Sequence, residues 1–420
     1  MSDDREPDGG AVVGRRDVAL PERVRALANH EFAVVVASAV ALLLFPYLLI
    51  DGLGMVADAI GYRIGGYEGL PSLVLIYGII VIGFNLLLGY TGLLSFGHAA
   101  FFGTAAYSAG LLSSTAQVTV PGIGATVGMP GIGSPILMAL FGTGLATLLA
   151  WPIGFLSIRR SGVYFAVLTL TFGQMLYFFA IGPGGWLTGG DNGYSEVNVG
   201  ELLGMADFGS PLPLVGTVEY AFIGLLFLLA LTVANRIVNS PYGLIFKALG
   251  ENEQRVEFVG LNVFRYKLMA FIISGAFAGL GGALFVMHER FVHPATGFYW
   301  IQSGDFVIMT VLGGTGSLVG PVFGALLFEY ISNVISGVTL PVVGPIGSLW
   351  RLILGAAFVV IVWVFPRGIY GALADAVRWI VDAVRFVVWA ARNPDEFVAL
   401  VRETAAGYRR SLMARFGGGS

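Results

Sequence analysis

The chain of 420 residues contains no cysteine and few charged residues, which make up only 12% of the sequence. Without cysteine it can form no disulfide, no thiolate metal site and no cysteine nucleophile. Lysine occurs only at positions 247 and 267, so arginine carries nearly all of the positive charge. The net charge of -3 gives no reason to expect a nucleic-acid partner.

Apolar residues dominate instead: they account for 56% of the chain, and the mean hydropathy is +0.82. No soluble fold has enough interior to bury so much apolar surface, so the chain must use lipid as its solvent. The composition therefore predicts an all-α, polytopic membrane protein, with about ten transmembrane helices of about twenty residues each.

Apolar segments long enough to cross a bilayer recur between residues 30 and 370, which we take as the transmembrane domain, 30–370. The segments cover residues 32–50, 70–88, 93–112, 135–156, 162–181, 214–233, 268–287, 305–330 and 352–365. Glycines and a proline interrupt segment 305–330 between Gly313 and Pro321, so we expect two helices there that meet at a glycine turn. Counting this segment twice gives about ten spans.

Basic residues test the orientation of these spans, because lysine and arginine concentrate in cytoplasmic loops. If both termini are cytoplasmic, only Arg63, Arg290 and Arg351 of the 23 basic residues fall outside the cell. Residues 1–29 contain no apolar core followed by a small-residue cleavage site, which predicts a cytoplasmic tail, not a signal peptide. We therefore expect both termini in the cytoplasm.

The C-terminal region, 371–420, is expected to form an amphipathic helix followed by a cytoplasmic tail. From Val377 onward apolar residues recur with helical spacing, while Arg378, Arg385 and Arg392 stand seven residues apart on one edge. Such a helix can lie in the inner interface with its arginines near anionic lipid. An eleventh span is the alternative, but the charges in this stretch make it costly.

Segment 240–267 is the most highly charged interior stretch, and because an apolar span lies on each side of it, it must lie in water. Ser240 followed by proline is typical of a helix start, and Gly250 of a break. A second short helix is then expected from Glu251 to its end at Gly260. An ordinary solvated loop is the alternative interpretation.

Polar residues within the spans are the candidates for a translocation path. His98 is ionisable, and ionisable groups within spans usually face the bundle interior or a wet cavity. A hydrogen bond to a neighbouring helix is the alternative role for this histidine. Thr169, Thr171 and Gln174 stand on an otherwise apolar segment, where they either line a path or bond back to their own carbonyls. Gly97, beside His98, completes the set.

Five motifs occur in an order that resembles a known family. They are GYTGLLSFGHAAFFG (Gly89–Gly103), RRSGVYFAVLTLTFGQ (Arg159–Gln174), TGGDNG (Thr188–Gly193), SPYG…ENE…GLNVFRYKL (Ser240–Leu268) and GGTGSLVGP (Gly313–Pro321). Together they resemble the permease subunits of branched-chain amino-acid ABC importers, over about residues 70–368. The two tails lie beyond this resemblance.

The resemblance implies an ABC-importer permease fold and transport of leucine, isoleucine and valine into the cell, without catalysis by this chain. It implies a second related permease subunit, two cytoplasmic ABC ATPase subunits and an extracellular or periplasmic substrate-binding protein as partners. ATP would be bound by the ATPases, and the chain would need no cofactor; it has no G-x-x-x-x-G-K-[ST] phosphate loop. The residues implied at the ATPase contact are Glu251, Asn252, Glu253, Arg255 and Gly260.

Three alternatives stay open from the sequence. The same motifs occur in permeases for urea and short-chain amides. An ion-coupled secondary transporter needs a carboxylate near the middle of the membrane, whereas Glu219, Asp305 and Glu329 all lie near expected helix ends. A membrane-embedded enzyme needs converging acids, bases or metal ligands. Three of the four histidines lie outside the expected spans, so we expect no catalytic or metal site.

Overall fold

Helices form nearly all of the regular structure in the computed structural model. The structure describes residues 44–45 and 69–375, except 120, 123, 125, 161, 205, 213–215, 338, 341–343, 346–348, 366–367 and 373–374. The expected tail 1–29, most of the apolar segment 32–50 and the amphipathic helix expected from Val377 lie outside the described residues.

The described α-helices differ widely in length. In chain order they are α1 (Leu70–Asn85), α2 (His98–Ser113), α3 (Pro135–Ser157), α4 (Val163–Ile181), α5 (Gly185–Thr188), α6 (Val218–Val238), α7 (Pro241–Glu251), α8 (Glu253–Phe258), α9 (Val263–Glu289), α10 (Pro294–Gly297), α11 (Trp300–Gly313), α12 (Gly320–Gly337) and α13 (Trp350–Val364). A π-helical segment, Leu86–Tyr90, extends α1.

Strands occur only as short antiparallel hairpins between these helices, within the part of the chain that the structure describes. The pairs are β1 (Gln117–Thr119) with β2 (Thr126–Gly128), β3 (Glu201–Leu202) with β4 (Ala206–Asp207), β5 (Pro211–Leu212) with β6 (Gly216–Thr217), and β7 (Thr339–Leu340) with β8 (Gly344–Pro345). The fold is therefore an all-α bundle with small loop hairpins.

Several helices have the length and apolar composition needed to cross a membrane. Among the described residues there are 5 of them, namely Leu70–Tyr90, α3, α4, α6 and α9. Helices α2, α11 and α13 are shorter, with 16, 14 and 15 residues. The helices confirm the expected all-α, polytopic class, and the bounds of α3 and α4 agree closely with the apolar segments 135–156 and 162–181.

Helix α9 lies at the centre of the bundle, where it packs against α1, α2 and α3. All 16 residues of α1 are buried, as is typical of a helix that is apolar on every face. Gly282 of α9 allows a close crossing with α2, because a Cβ at this position would overlap the carbonyl oxygen of Phe102. Small residues on α9 thus set the spacing of the central helices.

The expected span 93–112 was wrong at its start, because α2 begins only at His98. Gly92 has a φ of 72°, which turns the chain out of the helix that precedes it. The N–H of Gly97 bonds to the Ser95 side chain instead of to a helical carbonyl. Residues 92–97, which we call the connecting segment, therefore run non-helically through the bundle. Such backbone is tolerated at membrane depth only where protein or a wet cavity surrounds it.

The glycine turn expected within segment 305–330 is confirmed. Helix α11 ends at Gly313, and α12 begins at Gly320. Gly314, the residue after α11, has a backbone φ of 105°. Residues other than glycine rarely adopt this value. The turn therefore folds α12 back against α11, and the two helices are in extensive contact.

Gly250 is not the helix break that the sequence predicted. Helix α7 continues through this residue to Glu251, and the break falls at Asn252, whose backbone is extended. The second helix was expected from Glu251, and this start was wrong, because α8 begins only at Glu253. Gly250 serves a packing role instead, because a Cβ there would lie 2.6 Å from the carbonyl oxygen of Tyr90. Glycine is needed at this position because two backbone segments approach closely, and not because a helix ends there.

The helices on either side of segment 240–267 also differ from the apolar segments. Helix α6 extends to Val238, and α9 already begins at Val263. Asn262 caps α9 by accepting a hydrogen bond from the backbone N–H of Arg265, at 3.1 Å. Hydropathy predicts where an apolar stretch ends, whereas backbone hydrogen bonds decide where a helix ends. Helices α6 and α9 therefore extend beyond the apolar segments 214–233 and 268–287.

Candidate functional site

Helices α7 and α8 form a two-helix element between α6 and α9, and α8 has well-defined ends. The Asn252 side chain accepts a hydrogen bond from the backbone N–H of Arg255 at 3.1 Å, which caps the start of α8. Gly260 has a φ of 87°, and its N–H donates to the carbonyl of Glu257 at 2.8 Å. A residue with positive φ after the last helical turn is a common helix end. The expected helix end at Gly260 is therefore confirmed.

An ion pair ties α8 to α9. The Lys267 ammonium lies 2.5 Å from Glu253 Oε1; the lysine side chain is only 5% exposed and the glutamate side chain 45%. A buried ammonium needs such a partner, because desolvation of an unpaired charge is costly. Glu253 therefore has a structural partner within the chain, besides its predicted place at the ATPase contact.

The most exposed large apolar residues of this element lie at the end of α8. Phe258 is 88% exposed and Val259 78% exposed, while Val256 on the opposite face is buried. Sequence reasoning selected polar residues at the end of α7 and in the first turn of α8, and it missed this apolar tip. The signal that could have found it is the pattern V-E-F-V-G, since a helix that buries Val256 must turn Phe258 toward solvent.

A charged groove of about 520 Å³ separates α8 from the turn between α3 and α4. Its charged lining residues include Arg159 and Arg160 from that turn and Glu253 and Glu257 from α8. The groove therefore carries both signs of charge at the same end of the bundle as the apolar tip.

Helix α7 rests on the π-helical segment at the end of α1. The Lys247 ammonium lies 5.5 Å from the centre of the Tyr90 ring, a cation–π contact. On the same side of α7, the Cα of Gly250 lies close to Gly92, where the connecting segment begins. Helix α7 is therefore in contact with both the π-helical segment and the start of residues 92–97.

The connecting segment crosses α4 at its other end, where two predicted path residues meet. The N–H of Phe96 donates to Thr169 Oγ1 at 3.2 Å, and the Thr169 hydroxyl donates to the carbonyl of Ala166 at 2.9 Å. A Cβ at Gly97 would lie only 2.5 Å from the Thr169 carbonyl oxygen. The structure therefore brings Gly97 and Thr169 into direct contact.

His98 is completely buried and joins α2 to α9. Its Nδ1 lies 3.1 Å from Ser95 Oγ, and its Nε2 lies 2.8 Å from Ser274 Oγ. Three aromatic rings pack edge-on around the imidazole: Phe84, Phe101 and Phe271. This geometry is that of a histidine bonded to a neighbouring helix, and its role in a path stays a prediction.

Thr171 lies away from this group, whereas Gln174 follows Gly173, where a Cβ would lie 3.7 Å from Gly97 Cα. Thr171 is exposed, and its hydroxyl donates back to the carbonyl of Val167 at 2.9 Å. The Gln174 Nε2 is buried and has no hydrogen-bond partner among the described residues. The structure thus gathers Gly97, His98 and Thr169 around one end of the connecting segment, and leaves Thr171 on the outer surface of α4.

The three acids considered for ion coupling differ in position. Glu219 lies in the first turn of α6, where its Oε1 is 2.5 Å from Nδ1 of His288 on α9. Asp305 lies more than a turn inside the 14-residue helix α11, and Glu329 lies in the middle of the 18-residue helix α12, so the expectation of a helix end was wrong for both. Within the described ranges, no group of three or more His, Asp or Glu side chains is arranged to hold a metal ion.

The chain is similar to several curated permeases. It is 30% identical to the high-affinity branched-chain amino acid transport system permease protein LivM of Escherichia coli (strain K12), over 62% of each chain. It is 31% identical to the autoinducer 2 import system permease protein LsrC of Yersinia pseudotuberculosis, over 28% of this chain and 34% of that protein. A nucleoside ABC transporter permease protein, NupC of Lactococcus lactis, is 27% identical over 31% of this chain and 39% of its own length.

The alignment thus spans 62% of the length of the LivM proteins of Escherichia coli and Salmonella typhimurium. No solved structure matches the chain. A family model described as the permease component of the branched-chain amino acid transport system matches residues 67–362. That range covers well over half of the sequence and contains all five motifs, so the chain belongs to this family of ABC-transporter permeases, which are multi-pass membrane proteins.

Proposed function

We propose that this permease moves the branched-chain amino acids leucine, isoleucine and valine into the cell, across the plasma membrane. In this proposal it pairs with a second related permease and with two cytoplasmic ABC ATPase subunits, which bind the ATP. An extracellular or periplasmic binding protein delivers the substrate. Both termini and the α7–α8 element lie in the cytoplasm, which is the side that the distribution of arginine and lysine favours.

The observation that carries the proposal is the exposed apolar tip of α8 on a braced support. Phe258 and Val259 have almost no contact with the rest of the described chain. Burial of such side chains against a partner is worth about 1.5 to 3 kcal/mol each. The Asn252 cap and the Glu253–Lys267 ion pair hold α8 in place, so it can transmit a movement of the ATPase instead of yielding to it.

Contacts within the chain supply a route for that movement. Helix α7 bears on Tyr90 through Lys247 and Gly250. From there the connecting segment runs to Gly97, which packs against Thr169 on α4. In our proposal, closure of the ATPases displaces α7 and α8, and the connecting segment carries the displacement to the path between α2 and α4.

The choice of substrate rests on similarity and on the chemistry of the bundle. Of the relatives named above, the branched-chain amino acid permease aligns over the longest part of the chain. The proposed path offers small and hydroxylated residues with few charges, which suits weak and transient contacts with a small zwitterion.

Reconstituted transport tests the proposal. The chain is placed in liposomes with its permease and ATPase partners, and uptake of labelled leucine is measured with the binding protein outside and ATP inside. We expect uptake that requires hydrolysable ATP and is competed by isoleucine and valine. Uptake of urea or acetamide in place of leucine would replace the proposed substrate class. Uptake by the chain alone, driven by an ion gradient, would contradict the proposed ATP coupling.

A further inference from the structure

The charged groove between α8 and the α3–α4 turn contains two arginines that have no ionic partner. Arg159 and Arg160 line it from the turn, and Glu253, Glu257 and Lys267 line it from α8 and α9. The lysine is already paired with Glu253. Both arginines are exposed, and within the described ranges neither forms an ion pair with an acid. Two neighbouring guanidinium groups are therefore free to bind a carboxylate from outside the chain.

Arg159 is held in position by aromatic rings. Its guanidinium carbon lies 4.6 Å from the centre of the Phe155 ring, a cation–π contact. Phe155 in turn stacks on Trp151, with 5.9 Å between ring centres, and meets Phe264 of α9 edge-on at 5.6 Å. An arginine that rests on a packed ring loses less conformational freedom on binding than an unsupported one. This side chain is therefore pre-organised to bind a partner.

The charged groove is continuous with the apolar tip of α8. Glu257 and Leu261 both line the groove. The tip residues Phe258 and Val259 stand between them in the sequence and are the most exposed large apolar residues of the α7–α8 element. A protein that covers the tip therefore also lies against the edge of the groove.

The charges of the groove favour a protein partner over a lipid headgroup. An anionic headgroup at the arginines would also approach Glu253 and Glu257, and like charges brought together at an interface are costly. A protein surface can instead place a carboxylate at the arginines and a donor or basic group opposite Glu257. Arginine is suited to the first contact, because its planar guanidinium matches a carboxylate with two parallel hydrogen bonds.

We propose that the charged groove is a second docking contact for the ATPase, in which one or more carboxylates of that subunit bind Arg159 and Arg160. The inference rests on the docking at α8 given under Proposed function, and it is independent of the transported substrate. The ATPase then holds both sides of the groove, α8 on one side and the α3–α4 turn on the other.

Carbodiimide crosslinking tests this contact directly, because the reagent joins a lysine amine to a carboxylate that touches it. The chain has lysine only at positions 247 and 267, so Arg160→Lys places a new amine in the groove. The variant is assembled with its permease and ATPase partners in phosphatidylcholine nanodiscs. We expect a crosslink between position 160 and an aspartate or glutamate of the ATPase, located by peptide mass spectrometry.

Arg351→Lys is the matched control for the crosslink. Its guanidinium also lies on a neighbouring ring, 5.2 Å from the centre of the Trp350 ring, but it is expected on the outer side of the membrane. This variant should give no crosslink to the ATPase. No crosslink from position 160, or a crosslink only to Glu253 or Glu257 of the same chain, would overturn the proposal.

Affinity measurements separate this contact from the contact at the tip. Arg159→Gln combined with Arg160→Gln should weaken ATPase binding about twofold to thirtyfold at low ionic strength, mainly through slower association, and less at high ionic strength. Arg351→Gln should have no effect. Unchanged affinity in the double glutamine variant, while Phe258→Ala still weakens binding, would overturn the second contact and leave docking at α8 intact. An effect that appears only with anionic lipid would assign the arginines to the membrane and also overturn it.

Discussion

Lys267 on α9 and Glu253 on α8 form an ion pair that joins the α7–α8 element to the central helix, with 2.5 Å between Nζ and Oε1. Glu253→Gln leaves the buried ammonium without its partner. We expect a loss of about 1 to 3 kcal/mol, less than the 3 to 5 kcal/mol of a fully buried pair, because Glu253 is half exposed. Thermal unfolding of the purified chain measures the effect.

Two further variants make this prediction specific. Glu253→Gln combined with Lys267→Met removes both charges, so the double variant should be more stable than Glu253→Gln alone. Glu257→Gln changes an exposed acid on the same helix and should alter stability by less than about 0.5 kcal/mol. If Glu253→Gln is as mild as Glu257→Gln, the ion pair does not hold α8 in place.

Phe258 should contribute to ATPase binding far more than to folding. Phe258→Ala removes an exposed side chain, so the free energy of unfolding should change by less than about 0.5 kcal/mol. Loss of its burial at the partner should weaken association with the ATPase by about 1.5 to 3 kcal/mol, which is about tenfold to more than a hundredfold. Leu244→Ala, at a similarly exposed position on α7, is the control. Equal ATPase affinity in Phe258→Ala and the unaltered chain would remove α8 as the docking site.

The polar residues that the sequence predicts at the ATPase contact can be tested in the same assays as Phe258→Ala. Glu251 and Arg255 are both exposed, so Glu251→Ala with Arg255→Ala should leave expression and folding nearly unchanged. ATPase association and transport should fall, since the substitutions remove polar groups from the expected contact. Asn252→Ala differs, because loss of the helix cap also costs about 1 kcal/mol of stability. Normal ATPase binding and transport by the Glu251/Arg255 double variant would contradict the predicted role of these two residues at the ATPase contact.

Substitution of Gly260 should destabilise the chain because of its positive φ, and not because a side chain would meet neighbouring atoms. Its φ is 87°, yet no atom lies within 4 Å of a Cβ built at this position. Gly260→Ala should therefore destabilise the chain by about 1 to 2 kcal/mol, the cost of a left-handed conformation for an L-residue, and Gly260→Asn by less. Gly144 in α3 has equally open space but no positive φ, so Gly144→Ala should not destabilise. Equal melting temperatures for Gly260→Ala and Gly144→Ala would contradict the argument.

Helices that lie wholly within the apolar stretches could be predicted from the sequence, and contacts between them could not. The bounds of α4 follow from a mostly apolar and uncharged run between Gly162 and Gly182. The hydrogen bond between His98 and Ser274 joins residues 176 positions apart and depends on the rotation of two helices, which hydropathy does not encode. The same limit applies to the Glu253–Lys267 ion pair. Hydropathy placed Lys267 in a loop, although it lies within α9. The first residues of α9 are helical but partly charged, so hydropathy does not detect them.

The absence of native cysteine makes the proposed orientation directly measurable, because an introduced thiol is then the only target for a maleimide. Asn192 is exposed in the 3-10 turn after α5. Glu257 is exposed on α8, and it forms no ion pair within the described residues. In intact cells an impermeant maleimide should label Asn192→Cys and leave Glu257→Cys untouched; in inverted vesicles the pattern should reverse. The α3–α4 turn and α8 border one groove, so Arg160→Cys must behave as Glu257→Cys does. Labelling of Asn192→Cys and Glu257→Cys from the same side would be incompatible with the proposed topology and with an ATPase docked on α8.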